Sequence, residues 1–377
     1  MPPIDKKITI KDIARIAKVS PATVSMVVND RPGISEETKY RVLRIVQALQ
    51  YTPNLVARSL VRRHSNFITL LITNMGNPIF AEIACGVDDV LREHDYSLSI
   101  ISTYDDRELE TKEIETVQAR GMNGLLTCAP LLDNSNIATL VKNNFPVVSI
   151  LRRVYNCEDL DYVIVDSAKG AYLATEHLIR LGHKQIGFIK GPPHTSSGIE
   201  KQEGSMNALK DYGLAVSDDL IREGDYSRKS GYLATNHLLK MDLRERITAI
   251  YAANDYMAIG AFEAIWDAGL KIPEDMALVG FNDVEATSLR TIEITTIAHP
   301  KRKMGQLAAK RLIDKIEENE GYKDIYQVVL EPELVIRKSC GFTVFSKYVI
   351  DEVKHRSLPK SFNVPNQDRG AHAPKHF

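Results

Sequence analysis

The residues of this chain best placed for chemistry stand at Ser20-Pro21-Ala22-Thr23-Val24-Ser25-Met26, and the chemistry is recognition. Ser20 occupies a position where a side-chain oxygen caps a helix, and Pro21 follows at the first helical position, where a missing amide hydrogen does no harm. Pro21, Ala22, Thr23, Ser25 and Met26 then form the exposed N-terminal end of that helix. In helix-turn-helix proteins this end enters the DNA major groove.

Three short helices are needed to hold it. Thr9 caps the first, with Asp12 in its opening turn, and Ile10, Ile13, Ala14 and Ala17 fall on one face. Val19-Ser20 makes the turn. In the second helix Val24, Val27 and Val28 point inward, and Asn29-Asp30-Arg31-Pro32-Gly33 ends it with strong turn residues. Ser35 starts the third, with Glu36 and Glu37 near its positive end and Val42, Val46 and Leu49 as its buried stripe. Residues 1–65 carry twelve Lys and Arg against five Asp and Glu, about +7, whereas the whole chain has a formal net charge of −1. The head is therefore basic on an acidic remainder, which points to a polyanionic partner.

The remainder is ordinary globular sequence, 44% hydrophobic and 26% charged over 377 residues. Apolar runs at 67–73, 97–103, 124–129, 146–151, 162–166, 186–191, 249–253 and 277–281 read as strands. Helix-length segments at 78–94, 108–121, 167–181, 198–212, 228–240 and 254–268 alternate with them. Continuous apolar strands between helices predict parallel sheets covered on both faces, and their number fits two doubly wound subdomains in an α/β class. A weak echo, AYLATEHLI at 171–179 and GYLATNHLL at 231–239, agrees with two similar halves. Cys85, Cys128, Cys157 and Cys340 are scattered without metal or redox spacing. His94, His177, His183 and His237 form no metal-like pair. Phosphate-loop, nucleophile-elbow and zinc signatures are absent from the sequence, so neither an enzyme nor a cofactor is expected. There is no signal-peptide core and no apolar run of membrane-spanning length, which predicts a cytoplasmic protein with no membrane partner.

The runs ITIKDIARIAKVSPATVSMVVND, ISEET and YTPNLVARSL resemble the lactose-repressor (LacI/GalR) family of bacterial transcription regulators, and the likeness continues to about residue 341. The resemblance implies a helix-turn-helix domain over 1–52, a hinge helix and linker over 53–66, and an effector-binding and dimerisation domain over 67–341. It assigns DNA contacts to Thr9, Ser20, Pro21, Ala22, Thr23, Ser25, Met26, Asn29 and Tyr51, and in the hinge to Asn54, Ala57, Arg58 and Leu60. The hinge is too short to be a stable helix alone and would order on DNA, with Leu60 as an apolar wedge in the minor groove. One departure is Met26, where the family often has arginine or histidine. Methionine cannot make the paired bond to guanine but can touch a thymine methyl. Direct reading is therefore expected to be mostly apolar, with shape carrying more of the specificity.

The body is expected to resemble periplasmic sugar-binding proteins. The chain would cross near residues 164, 294 and 326 between an N-terminal subdomain (about 67–163 and 294–325) and a C-terminal one (about 164–293 and 326–341). Matching motifs place the effector against Ile79, Phe80, Asp166, Thr195, Ser197, Lys201, Tyr226, Asn254 and Asn282. Lys201 replaces the family's arginine and Asn282 its usual aspartate. A neutral sugar is the default effector, and an acidic or phosphorylated sugar is the sharper reading, because a negative charge is lost while a cation stays. The implied function is a homodimeric, sequence-specific DNA-binding transcriptional repressor: two heads predict a pseudo-palindromic double-stranded operator, and the effector alters operator affinity. The alternative is a solute-binding protein, against which the basic head and missing signal peptide count. Residues 342–377 run past the family's usual end and are expected to be partly disordered.

Overall fold

A computed structural model describes residues 8–28, 31–51, 66–128, 130–215, 217–240, 247–317 and 324–342. Asn29 and the hinge positions Asn54, Ala57, Arg58 and Leu60 lie outside the described residues, as does the extension beyond Phe342.

The head forms as its local signals dictate. Helix α1 spans Ile10–Ala17, α2 Pro21–Val28 and α3 Glu36–Ala48. Thr9 and Asp12 make a reciprocal capping box at the start of α1, which satisfies two amide groups that the helix itself cannot. Ser20 Oγ accepts from the Thr23 amide at 3.0 Å, and Ser35 caps α3. Ile13, Ala14, Ala17, Val24, Val27 and Val42 are buried together, and Tyr51 packs on this small core.

The body begins with β1 (Phe67–Ile72), α4 (Pro78–Glu93), β2 (Ser97–Ser102), α5 (Arg107–Ala119), β3 (Gly124–Thr127), α6 (Ser135–Lys142), β4 (Val147–Ile150) and β5 (Asp161–Val165). It continues through α7 (Ser167–Arg180), β6 (Ile186–Lys190), α8 (Ser196–Asp211), β7 (Ile221–Glu223), α9 (Arg228–Lys240), β8 (Ala249–Ala252), α10 (Asp255–Asp267) and β9 (Ala277–Val279). It ends with β10 (Thr296–Ala298), α11 (Lys301–Glu317), β11 (Gln327–Leu330) and β12 (Glu333–Val335). One sheet has the order β11-β5-β4-β3-β1-β2 and the other β7-β6-β8-β9, with every pair parallel. An antiparallel pair, β10 with β12, joins the second sheet through bridges at Val279–Thr295 and Asn282–Ala298.

The central strands are buried along their whole length and mostly apolar because helices cover both faces. The helix pair α7 and α8 packs so closely that a Cβ on Gly204 would lie 2.0 Å from the Ala168 carbonyl oxygen. The sheet assignments move the crossings a few residues downstream of the expected places. Strands β5 and β11 belong to the first sheet and β10 and β12 to the second, so the chain crosses after Val165, after Ala298 and after Leu330.

Candidate functional site

The head presents what the sequence promised, with one qualification. Pro21 and Ala22 are exposed, and Thr23, Ser25 and Met26 are half-buried. The Thr23 hydroxyl lies 2.9 Å from that of Ser20, so these two candidate reading groups also engage each other. The Thr9 hydroxyl donates to Asp12 at 2.6 Å and is tied into the cap.

A second site opens between the two sheets of the body, a cleft partly open to solvent. From the first half, Asn77 caps α4 and sets Ile79 and Phe80 at its opening turn, while Leu151 and Arg152 enter from the loop after β4. From the second half come Ser197 and Lys201 on α8, Tyr226, Asn254 at the cap of α10, Phe281, Asn282 and His299. These side chains stand at strand ends and helix starts, where doubly wound sheets bind ligands. Three lining residues other than glycine hold a positive φ, Leu151 at 69°, Tyr226 at 66° and Asn282 at 119°. Such backbone strain persists where the surroundings over-determine it, as at ligand clamps.

Seven of the nine sequence-predicted effector residues line this cleft, namely Ile79, Phe80, Ser197, Lys201, Tyr226, Asn254 and Asn282. Asp166 and Thr195 do not. Asp166 caps α7, accepting from the Lys169 amide at 2.8 Å, and its neighbour Ser167 reaches the cleft instead. Thr195 is fully buried; its hydroxyl donates to the Pro192 carbonyl at 2.8 Å and accepts from the Gly198 amide at 3.2 Å. Both have the cap geometry that loop-end polar residues share with ligand sites.

Lys201 is held firmly in place. Its Nζ donates to the Ala253 carbonyl at 2.9 Å and sits 3.8 Å from the Phe281 ring centre. Burial, aided by the nearby Arg152 charge, pushes its pKa down to about 7. Asn254 accepts from the Met257 amide at 2.8 Å and donates to the Tyr226 carbonyl at 2.9 Å.

Sequence reasoning missed Arg152 and His299. Arg152 is 5% exposed, pairs with Asp105 at 3.1 Å and lies 5.5 Å from the Tyr226 ring centre. His299 Nε2 lies 3.3 Å from Asn282 Oδ1, and burial pushes the imidazole pKa down to about 3. No local pattern marks either residue; a cation directly after an apolar strand end was the one available sign.

Several contacts tie the halves together. The Arg153 amide donates to Ser196 Oγ at 2.9 Å, and its guanidinium pairs with Glu200. Tyr256 Oη donates to the Gly76 carbonyl at 2.7 Å. Lys301, on the α11 helix of the first half, donates to the Asn282 carbonyl at 2.9 Å and that of Asp283 at 2.7 Å. No group of three metal-ligating side chains occurs among the described residues.

Comparison with known proteins agrees with this division. Residues 9–54 match the family described as bacterial regulatory proteins, lacI family. Residues 65–330 match that of periplasmic binding proteins and the sugar binding domain of the LacI family. The ribose operon repressor of Haemophilus influenzae is 35% identical over 333 residues, covering 88% of this chain and 98% of that protein. The HTH-type transcriptional repressor PurR of Aliivibrio salmonicida is 33% identical over 331 residues, with the same shares covered. Among solved structures, the lac repressor dimer bound to operator and the anti-inducer ONPF has a TM-score of 0.78 at 29% identity, covering 89% of this chain and 99% of that one. The CelR–cellobiose complex has a TM-score of 0.67 at 27% identity, covering 88% and 99%. With head and clamp each matched in order, and a relative more than a third identical along nearly its whole length, this chain belongs to the LacI family, as a DNA-binding transcriptional repressor with a ligand-binding domain.

Proposed function

We propose that two copies of this chain grip a pseudo-palindromic operator in the cytoplasm, and that a small molecule in the interdomain cleft adjusts the grip. The observation that carries this reading is the composition of the cleft. Its walls come from both halves, so any occupant touching Phe80 and Arg152 on one side and Tyr226 and Asn282 on the other biases the angle between them. Contacts that oppose a change in that angle include Arg153–Glu200, Tyr256–Gly76 and Lys301 on two carbonyls.

The effector is a sugar or sugar derivative. Support comes from the family description, which names sugar binding, and from the names of the ribose operon repressor and the cellobiose complex. The head contacts DNA through Ser20 to Met26, with Thr9, Asn29 and Tyr51 beside them and Asn54, Ala57, Arg58 and Leu60 following. Linkage requires that operator DNA change effector affinity by the same factor as the effector changes operator affinity, about 5–150-fold for coupled sites. The test is fluorescence anisotropy of promoter fragments from the source genome, with sedimentation of the complex to count subunits and a panel of sugars added. Salt-sensitive, sequence-selective binding by a dimer, shifted by at least one sugar, is expected. Indifference to every fragment, or binding that no sugar moves, overturns the reading.

A further inference from the structure

The cleft is unevenly charged. Arg152 and Lys201 both line it, and both stand within 6 Å of the Tyr226 ring centre, at 5.5 Å and 5.7 Å. No carboxylate lines it among the described residues, since Asn282 stands where an acidic group would meet sugar hydroxyls. Asp105, which pairs with Arg152, is not a lining residue. Two cations facing one ring in a buried, low-dielectric space repel each other, and an anion between them relieves that repulsion.

The two cations are not equivalent. Lys201 is committed to the Ala253 carbonyl and the face of Phe281. Arg152, also held by a partner of its own, differs in shape: its guanidinium is planar, and such a fork suits two oxygens of one acidic group where a lysine gives a single point charge. The rest of the cleft suits a hydroxylated ring. Phe80, Phe281 and Tyr226 give it apolar faces, and the buried Nδ1 of His299 has no partner among the described residues. With Nε2 donating to Asn282 Oδ1, that nitrogen is left as an unsatisfied acceptor in the wall of the cleft.

We propose that the effector is a small hydroxylated anion, a sugar phosphate or sugar acid, and that Arg152 is the residue that selects its acidic group, with Lys201 secondary. This rests on the cleft being the effector site, as proposed above.

The experiment is calorimetric titration of the full-length protein with matched probes. These are ribose and ribose 5-phosphate, glucose and glucose 6-phosphate, and glucose and glucuronate, with adenine as a flat neutral control. In at least one pair the anionic member binds tenfold or more tighter, and the phosphate and carboxylate arms separate the two acidic groups. Arg152→Gln removes that preference, Arg152→Lys restores part of it, and Lys201→Met lowers it less than Arg152→Gln does. Thermal unfolding of each variant shows that it is folded, and Arg152→Lys serves if Arg152→Gln is not. Equal or tighter binding of the neutral members, binding of adenine alone, no binding of any anionic probe, or a preference that survives loss of Arg152 overturns the proposal. Operator binding without effector is measured on the same preparations. Its loss would defeat the wider reading, whereas intact operator binding shifted by a neutral sugar would defeat only this one.

Discussion

The reading head and the cleft differ in where their recognising groups sit. In the head, Pro21 and Ala22 are exposed and their neighbours half-exposed, on a core of six buried apolar side chains. In the cleft, Lys201, Asn254, Asn282 and His299 are buried and bonded to the backbone or to one another, and each half has large apolar clusters behind it. A small domain buries little surface for its length and is marginal alone. The head therefore recognises by keeping a fragile scaffold folded, and the cleft by holding polar groups ready. Damage should cost the head its fold and the cleft its specificity.

The largest effect that would break this contrast is at Ile13, which is fully buried in the head. Ile13→Ala removes methyl groups from a core with little to spare, at a cost of about 2–5 kcal/mol. DNA binding should be lost, with the head melting near room temperature, while effector binding by calorimetry and the body's melting temperature stay unchanged. Loss of the body's transition as well would show that the two regions do not fold independently.

The next effect lies in the cleft and is read by pH. The folded pKa of Lys201 is about 7, below its ordinary value of 10.5. Between those values the unfolded chain binds the extra proton, so this group's contribution to stability rises with pH from about 7 to about 10.5 and is flat at its least favourable below. Lys201→Met should therefore gain most over the parent below pH 7, and the difference should shrink as the pH is raised. Scanning calorimetry at pH 6 and pH 9 checks the sign, and a difference that grows with pH would contradict the buried position.

A smaller effect is expected between the halves. Glu200→Gln weakens the pair with Arg153, whose side chain is 39% exposed and so partly screened. A loss of at most about 1 kcal/mol is expected, and effector affinity should fall by no more than roughly fivefold while operator binding without effector holds. Solution scattering should show a wider cleft in the variant. An unchanged profile and affinity would remove this pair from the closing contacts.

What was legible follows the same division. Thr9 with Asp12, and Ser20 with Thr23, act within three residues of each other, so a reader of the sequence has both partners in view. Alternation of apolar strands and helices was equally plain, except for β7, β10, β11 and β12, short strands that each carry a polar residue and are not buried along their whole length, so that no continuous apolar run marks them. Two of those strands, β10 and β11, end at the second and third crossings, which is why these were expected too early in the chain. Asp166 and Thr195 cap helices and do not line the cleft, and a polar residue at a loop end looks the same in sequence whether it caps a helix or faces a ligand. Arg152 and His299 come from segments about 150 residues apart, and only tertiary packing brings them to one space. Likewise, Leu151 and Tyr226 adopt backbone conformations that glycine would have signalled.

The smallest effect probes whether the head reads bases through apolar contact at all. Met26 is half-buried, its carbonyl accepts from the Arg31 amide at 2.9 Å, and its terminal methyl lies near Gly33. It thus has a packing role besides any reading role, and the two can be told apart. A packing role weakens all half-sites alike when Met26→Ala is made. A reading role weakens only those with a thymine methyl at the contacted position, by a few-fold, since a single apolar contact is worth about 1 kcal/mol. Anisotropy against half-sites varied at every position distinguishes them. Because Thr23 and Ser20 hold each other's hydroxyls, Thr23→Val is the matching control: it removes a polar reader while keeping the side chain's size. If Thr23→Val changes base preference and Met26→Ala does not, reading by this head is polar after all, and the exposed apolar surface of Pro21 and Ala22 serves fit to the groove.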